Sequence, residues 1–132
     1  MDPHVAFLEK LRQRPELTYS ETSNCVRVEP PSSRGFAVEL RSASNNWTVF
    51  LGDAGFHEVF TSSEDVLNFI AWCYSGEARV REIWRGSSLQ KAILEARENA
   101  EWRTVSETRF VLVPFWRERR EVILKNPNLL RR

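Results

Sequence analysis

Between Phe36 and Phe60 the chain alternates apolar and polar residues, turns, and alternates again, and this stretch constrains the fold more than any other. Phe36, Val38 and Leu40 alternate with Ala37, Glu39 and Arg41, the period of a strand with one buried face. After a turn over Ser42 to Asn46, Trp47, Val49 and Leu51 repeat the pattern. Gly52-Asp53-Ala54-Gly55 reads as a four-residue hairpin loop, and Phe56 to Phe60 returns as the partner strand. Such a meander presents an apolar face that needs a cover. A cover follows at once. Thr61 with Glu64 forms a capping box, and Ser62 with Asp65 a looser version. Val66, Phe69, Ile70 and Cys73 then line one helical face, and Gly76 suits a left-handed stop. The expectation is a helix over Glu64 to Tyr74 lying on an antiparallel sheet.

The remaining segments extend the same architecture. Asp2 caps and Pro3 opens an amino-terminal helix over 3–14, with His4, Phe7, Leu8 and Leu11 at helical spacing. Glu16 to Asn24 is polar and reads as a loop. Cys25 to Glu29 is a short strand stopped by Pro30-Pro31-Ser32-Ser33, and Ala78 to Arg85 is another, ending at Gly86-Ser87-Ser88. Leu89 to Arg97 contains helix formers, yet Glu98-Asn99-Ala100 followed by Trp102, Thr104 and Ser106 favours a hairpin there. Phe110 to Trp116 is almost unbroken apolar, as in a central strand, with Pro114 requiring an edge or a bulge. Arg117 to Arg120 turns the chain, Val122 to Leu124 pairs back, and a short disordered tail is expected from about 127. Arg34-Gly35 and Arg85-Gly86 each precede a hairpin after a helix, a hint of two helix-then-meander halves. The fold class is α+β: one domain over 1–132, a predominantly antiparallel curved sheet and two helices, one packed on a sheet face.

Composition narrows the function classes. The chain has 132 residues, 42% of them hydrophobic, and a net charge of +1, as in an ordinary globular domain. No apolar run reaches the length of a membrane helix, and Met1 to Lys10 lacks the pattern of a secretory signal. With only Cys25 and Cys73, no disulfide framework is expected, and a reducing cytoplasm is the expected location. Residues 103–132 carry eight basic and three acidic side chains, net +5, which leaves −4 for the rest of the +1 total. That asymmetry fits a solvated strand face, an acidic partner or nucleic acid.

Catalytic chemistry finds little support. Cys25, Cys73, His4 and His57 show no CxxC, HxxxH or HExxH spacing, so neither a metal nor another cofactor is expected. A thiolate–imidazole pair would have to draw on His57, which sits on a hairpin return. No nucleophile elbow or phosphate loop is present: Gly52 and Gly55 join two strands, not a strand to a helix. No catalytic residue is therefore assigned. Most glutamates have an arginine one or two positions away, as in a solvated ion-paired sheet, for example Glu39 with Arg41 and Glu82 with Arg81. Glu82 alternates with Val80 and Trp84, so on a buried face it needs a partner, an arginine being expected. His57 and Glu82 are the two pocket candidates.

The carboxyl-terminal half carries a resemblance. A hairpin over Glu95 to Arg103, the box Pro114-Phe115-Trp116-Arg117, the turn to Arg120 and the segment Val122 to Asn126 resemble a group of small bacterial proteins with a Pro-Phe-Trp-Arg box near the carboxyl end. The resemblance covers roughly residues 35–130. It implies a compact α+β domain with strand over 89–97, and no particular activity.

Phe115, Trp116, Arg117, Arg119 and Arg120 combine aromatic planes with guanidinium groups, the residue types enriched in protein interfaces. The reading is a small non-catalytic interaction domain or homodimer whose partner the sequence does not name. An alternative is a small-molecule binder or enzyme with a cavity between the sheet and the Val66–Cys73 helix face. A third reading, nucleic-acid binding through the basic end, lacks the high isoelectric point such domains carry.

Overall fold

The structure is a computed structural model that describes residues 2–110 and 113–128. It opens with helix α1 (Pro3–Arg12), capped by the Asp2 carboxylate, which accepts from the His4 N–H. Five antiparallel strands follow in sequence order across one sheet: β1 (Tyr19–Glu21), β2 (Cys25–Val28), β3 (Val38–Ser42), β4 (Trp47–Leu51) and β5 (Phe56–Phe60). Helix α2 (Ser63–Cys73) leads to a second antiparallel sheet built from β6 (Ala78–Arg85), β7 (Ser88–Glu98), β8 (Glu101–Arg109) and β9 (Arg119–Leu124), in the order β8-β7-β6-β9. The α+β class is as expected, but the strands form two sheets, each preceded by a helix.

Local chemistry explains most element boundaries. Of the two possible caps for α2, Ser62 is used, its hydroxyl accepting from the Asp65 N–H. Gly76 adopts the left-handed conformation after the helix. Gly52 and Gly55 both have positive φ in the β4–β5 loop, as that tight reversal requires. The β7–β8 turn places Asn99 and Ala100 in the left-handed region, so the segment expected as a hairpin is one.

The core lies between the inner face of the five-stranded sheet, the two helices and part of the second sheet. Val26, Val28, Val38, Leu40, Val49 and Leu51 pack with Phe7 and Leu11 of α1, Val66 and Ile70 of α2, and Val80 and Leu94 of the second sheet. These side chains are shared by one cluster, so neither sheet has a separate core. No helix among the described residues is long and apolar enough to cross a membrane.

Three segments differ from the sequence reading. Residues 16–24 do not form a plain loop: Tyr19–Glu21 is an edge strand paired with Val26–Val28. Its side chains are polar and exposed after Tyr19, so no burial pattern marks it. The α1 helix ends at Arg12, and Leu17 closes the following turn by donating to the Arg14 carbonyl. The central strand read over Phe110 to Trp116 is replaced by a turn where the structure describes it: Arg117 N–H donates to the Pro114 carbonyl at 3.0 Å, and Phe115 and Trp116 point to solvent. Val111 and Leu112 lie outside the described residues. Pro114 has no N–H for a ladder, which favours the turn. Consequently β9 pairs with β6, Val80 opposite Leu124 and Trp84 opposite Arg120, and the Arg119–Arg120 pair expected in a turn lies on a strand.

Candidate functional site

Strand β6 is regular, so Val80, Glu82 and Trp84 share one face, and its neighbours bring Val122, Leu124 and Arg120 of β9 alongside. On the other side the register shifts by one residue between Ile83 and Trp84, so Leu89 of β7 falls opposite Trp84. The bulge turns Leu89 onto the face that Ala92 already occupies, because one extra residue inverts side-chain parity. Val80 continues this face into the core, whereas Glu82, Trp84, Leu89 and Arg120 lie beyond the core's edge. Pro30, Ser32, Ser33 and Gly35 of the first sheet's β2–β3 connection, together with Asp53, stand over them. The space enclosed is a cleft of about 480 Å³.

The wall of the cleft is held by the chain that follows β9. Asn126 is fully buried, and its side-chain amide works as an extra backbone unit: Oδ1 accepts from Phe36 N–H at 2.9 Å and Nδ2 donates to Phe36 O at 3.1 Å. Lys125 N–H donates to Arg34 O at 2.6 Å. A Cβ on Gly35 would stand 2.7 Å from Asn126 Oδ1 and 2.8 Å from Pro31 Cδ, so glycine is required by close approach.

Within the cleft the charges are arranged in a definite way. Trp84 Nε1–H donates to Glu82 Oε1 at 3.2 Å, and the Arg120 guanidinium sits 5.4 Å from the Trp84 ring centre. Glu82 is half-buried, and among the described residues neither it nor Arg120 takes part in an ion pair. The arginine expected as partner of Glu82 is absent from it; Arg81 lies on the opposite face with Glu95 and Glu121. That opposite face is an ion-pair lattice in which Glu95, 5% exposed, accepts from Arg79 at 2.7 Å with Arg81 at 3.5 Å. Arg79 also stacks on Trp102 at 4.0 Å. The buried carboxylate of this sheet is therefore Glu95, which the sequence reading did not single out. Its cross-strand position opposite Arg79 was the available signal.

The second surface adjoins the cleft at Arg120. Phe115 and Trp116 are 71% and 72% exposed, and their rings meet edge to face at 5.3 Å. The turn carrying them rests on the β6–β7 turn, where Gly86 N–H donates to Glu118 O at 3.0 Å and the Arg117 stem covers Gly86. The five residues singled out together do not share one surface. Phe115, Trp116 and Arg117 form the tip, Arg120 faces the cleft, and Arg119, opposite Arg85, alternates to the other face.

The other candidates are elsewhere. His57 lies on the outer face of the first sheet, its Nδ1 3.0 Å from Gly55 O and its ring tilted against Phe50. It does not line the cleft. Cys25 and Cys73 are free thiols. Burial pushes the Cys73 thiol strongly up and also raises Cys25, which holds both protonated and poor as nucleophiles. The Val66–Cys73 face of α2, against which a cavity was expected, is packed into the core; the cleft lies at the far edge of the second sheet. Among the described residues no group of three or more His, Cys, Asp or Glu side chains could hold a metal ion. No family model matches the chain, and neither a curated protein nor a solved structure matches it.

Proposed function

We propose that the protein is a non-catalytic interaction module that docks an acidic, apolar-anchored segment of a partner protein on the Phe115–Trp116 tip. The supporting observation is the exposure of two adjacent aromatic rings on a turn that is itself pinned to the scaffold. An aromatic side chain brings 150–250 Å² to an interface, so covering this pair contributes on the order of 5–9 kcal/mol gross. Association costs about 4–15 kcal/mol in lost freedom, so the rings alone give weak binding and polar contacts must supply the rest. The tip itself carries one arginine, Arg117, because Arg120 faces the cleft and Arg119 the other side of its strand. Among the described residues Arg117 is in no ion pair, which leaves it available to a carboxylate.

Charge also discriminates between partners. A two-fold contact between two such tips would set arginine against arginine, which disfavours self-association here. Among the described residues of the basic end, Arg103 is paired with Glu98 and Arg109 with Glu107, which takes both from any track for a phosphate backbone. The Pro-Phe-Trp-Arg box that carries the resemblance is this same tip.

Panning a random-peptide display library on the wild type and on the Phe115→Ala/Trp116→Ala double variant tests the reading. The wild type is expected to enrich peptides with an apolar anchor flanked by Asp and Glu, bound less tightly as salt rises, and the double variant to lose them. Equal enrichment on both proteins, or no enrichment on either, would refute it.

A further inference from the structure

The cleft beneath the 30–35 connection carries an independent inference. We infer that it binds a small zwitterion of amino-acid or short-peptide size, with Arg120 receiving the carboxylate and Glu82 the ammonium.

The argument rests on what the charges in the cleft leave undone. Glu82 and Arg120 are diagonal neighbours on adjacent strands with Trp84 between them, since Glu82 pairs with Val122 and Trp84 with Arg120. Opposite charges this close in sequence register ordinarily meet, yet no ion pair joins them. Each instead engages the indole, the carboxylate through Nε1–H and the guanidinium over the ring. Trp84 thus acts as a spacer that holds an acceptor and a donor fork apart. A half-buried carboxylate with one neutral donor retains free lone pairs, and a guanidinium over a ring keeps its N–H fork free for a bidentate carboxylate.

The rest of the lining sets the size and polarity of the guest. Leu89, Val122 and Leu124 give an apolar floor, and the Ser32 and Ser33 region a polar rim. Asp53 also lines the cleft, but its side chain is 88% exposed at the rim, where solvent screens its charge; Arg27, 3.7 Å away, is shared with Glu29 and Glu39. The two charged groups that flank Trp84, Glu82 and Arg120, therefore ask for one cation and one anion, not a polyanion. A volume of about 480 Å³ falls in the range of small-ligand sites and exceeds what one or two waters need.

The test uses the indole N–H resonance of Trp84 in the intact protein, assigned with Trp84→Phe, and titrates in glycine, L-leucine, L-phenylalanine and the dipeptide Gly-Leu. At least one is expected to shift that resonance saturably at or below about 10 mM, the range of a weak small ligand. Butylamine and butyrate, each carrying one charge, are expected to bind about tenfold more weakly or worse. Glu82→Gln and Arg120→Gln should each lower affinity by a similar factor while leaving the far-ultraviolet circular dichroism unchanged. Should a variant misfold, the butylamine and butyrate arm on the wild type decides. No saturable shift with any zwitterion, or equal affinity for the singly charged controls, would overturn the inference. The Phe115→Ala/Trp116→Ala protein is expected to bind the zwitterion normally, so failure here and failure of the docking tip are separately readable.

Discussion

Asn126→Ala is the substitution that most directly tests how the cleft wall is attached. The side chain is fully buried and supplies both hydrogen bonds of the Phe36 peptide groups, at 2.9 Å and 3.1 Å. Phe36 precedes β3, so neither its N–H nor its carbonyl joins a strand ladder. Truncation leaves one buried donor and one buried acceptor unpaired, each costing about 1–3 kcal/mol. The loss expected is about 2–6 kcal/mol, a large share of the roughly 5–15 kcal/mol that holds a domain of this kind. Urea unfolding followed by tryptophan fluorescence measures it as a fall in midpoint. Asn126→Asp separates the two bonds. It keeps the acceptor for Phe36 N–H and sets an oxygen against the Phe36 carbonyl, so it should be destabilised at neutral pH and recover as acid protonates the new carboxyl. A loss for Asn126→Ala within about 0.5 kcal/mol, the range of an ordinary surface change, would refute the reasoning.

Gly35→Ala drives a methyl against Asn126 Oδ1 and Pro31 and should cost about 1–3 kcal/mol, read as a lowered melting temperature. Ala100→Gly relieves a left-handed alanine at φ 66° in the β7–β8 turn and should stabilise by about 1 kcal/mol in the same assay. Burial raises Cys73 and Tyr74 above their ordinary values in the folded state only. Their neutral forms therefore favour folding below the ordinary thiol and phenol ranges, and stability should fall as alkaline pH ionises them in the unfolded chain. Urea midpoints measured across pH 8 to 11 in about one-unit steps check this, and Cys73→Ala should flatten the part that the thiol contributes.

Helix α2 and the β3–β5 meander could be read from the chain because their signals are local. Ser62 caps within one turn, and Val49 and Leu51 show their buried face by alternation alone. The stretch after Arg109 misled for the opposite reason. An apolar run resembles a central strand by composition, but Phe115 and Trp116 are apolar and exposed, and composition does not distinguish burial from display. Glu82 was visible as an oddity, whereas its neighbours in the cleft come from separate segments that only the two-sheet arrangement assembles. Asn126 stands where the sequence reading ends the ordered part, next to the tail expected from about 127, and nothing there marks it as a buried residue. Its partner is 90 residues away, and no periodicity signals a side chain that substitutes for a strand.

The shift of register between β7 and β8 has a consequence for how copies of this chain meet one another. Ser106 pairs with Leu94 and Thr104 with Glu95, so Val105 has no partner across the ladder. Strand β8 is also one of the two borders of its sheet, nine residues long and solvent-facing along most of its length. A straight border of that length would be an open template for another strand. The displaced Val105 breaks the row of outward N–H and C=O groups at its middle, and Arg103 and Glu107, on either side of the break, project from opposite faces. A second β8 approaching in any single alignment can therefore match one half of this border but not both. One residue with nothing opposite it thus denies the longest border strand to a second copy as a straight template.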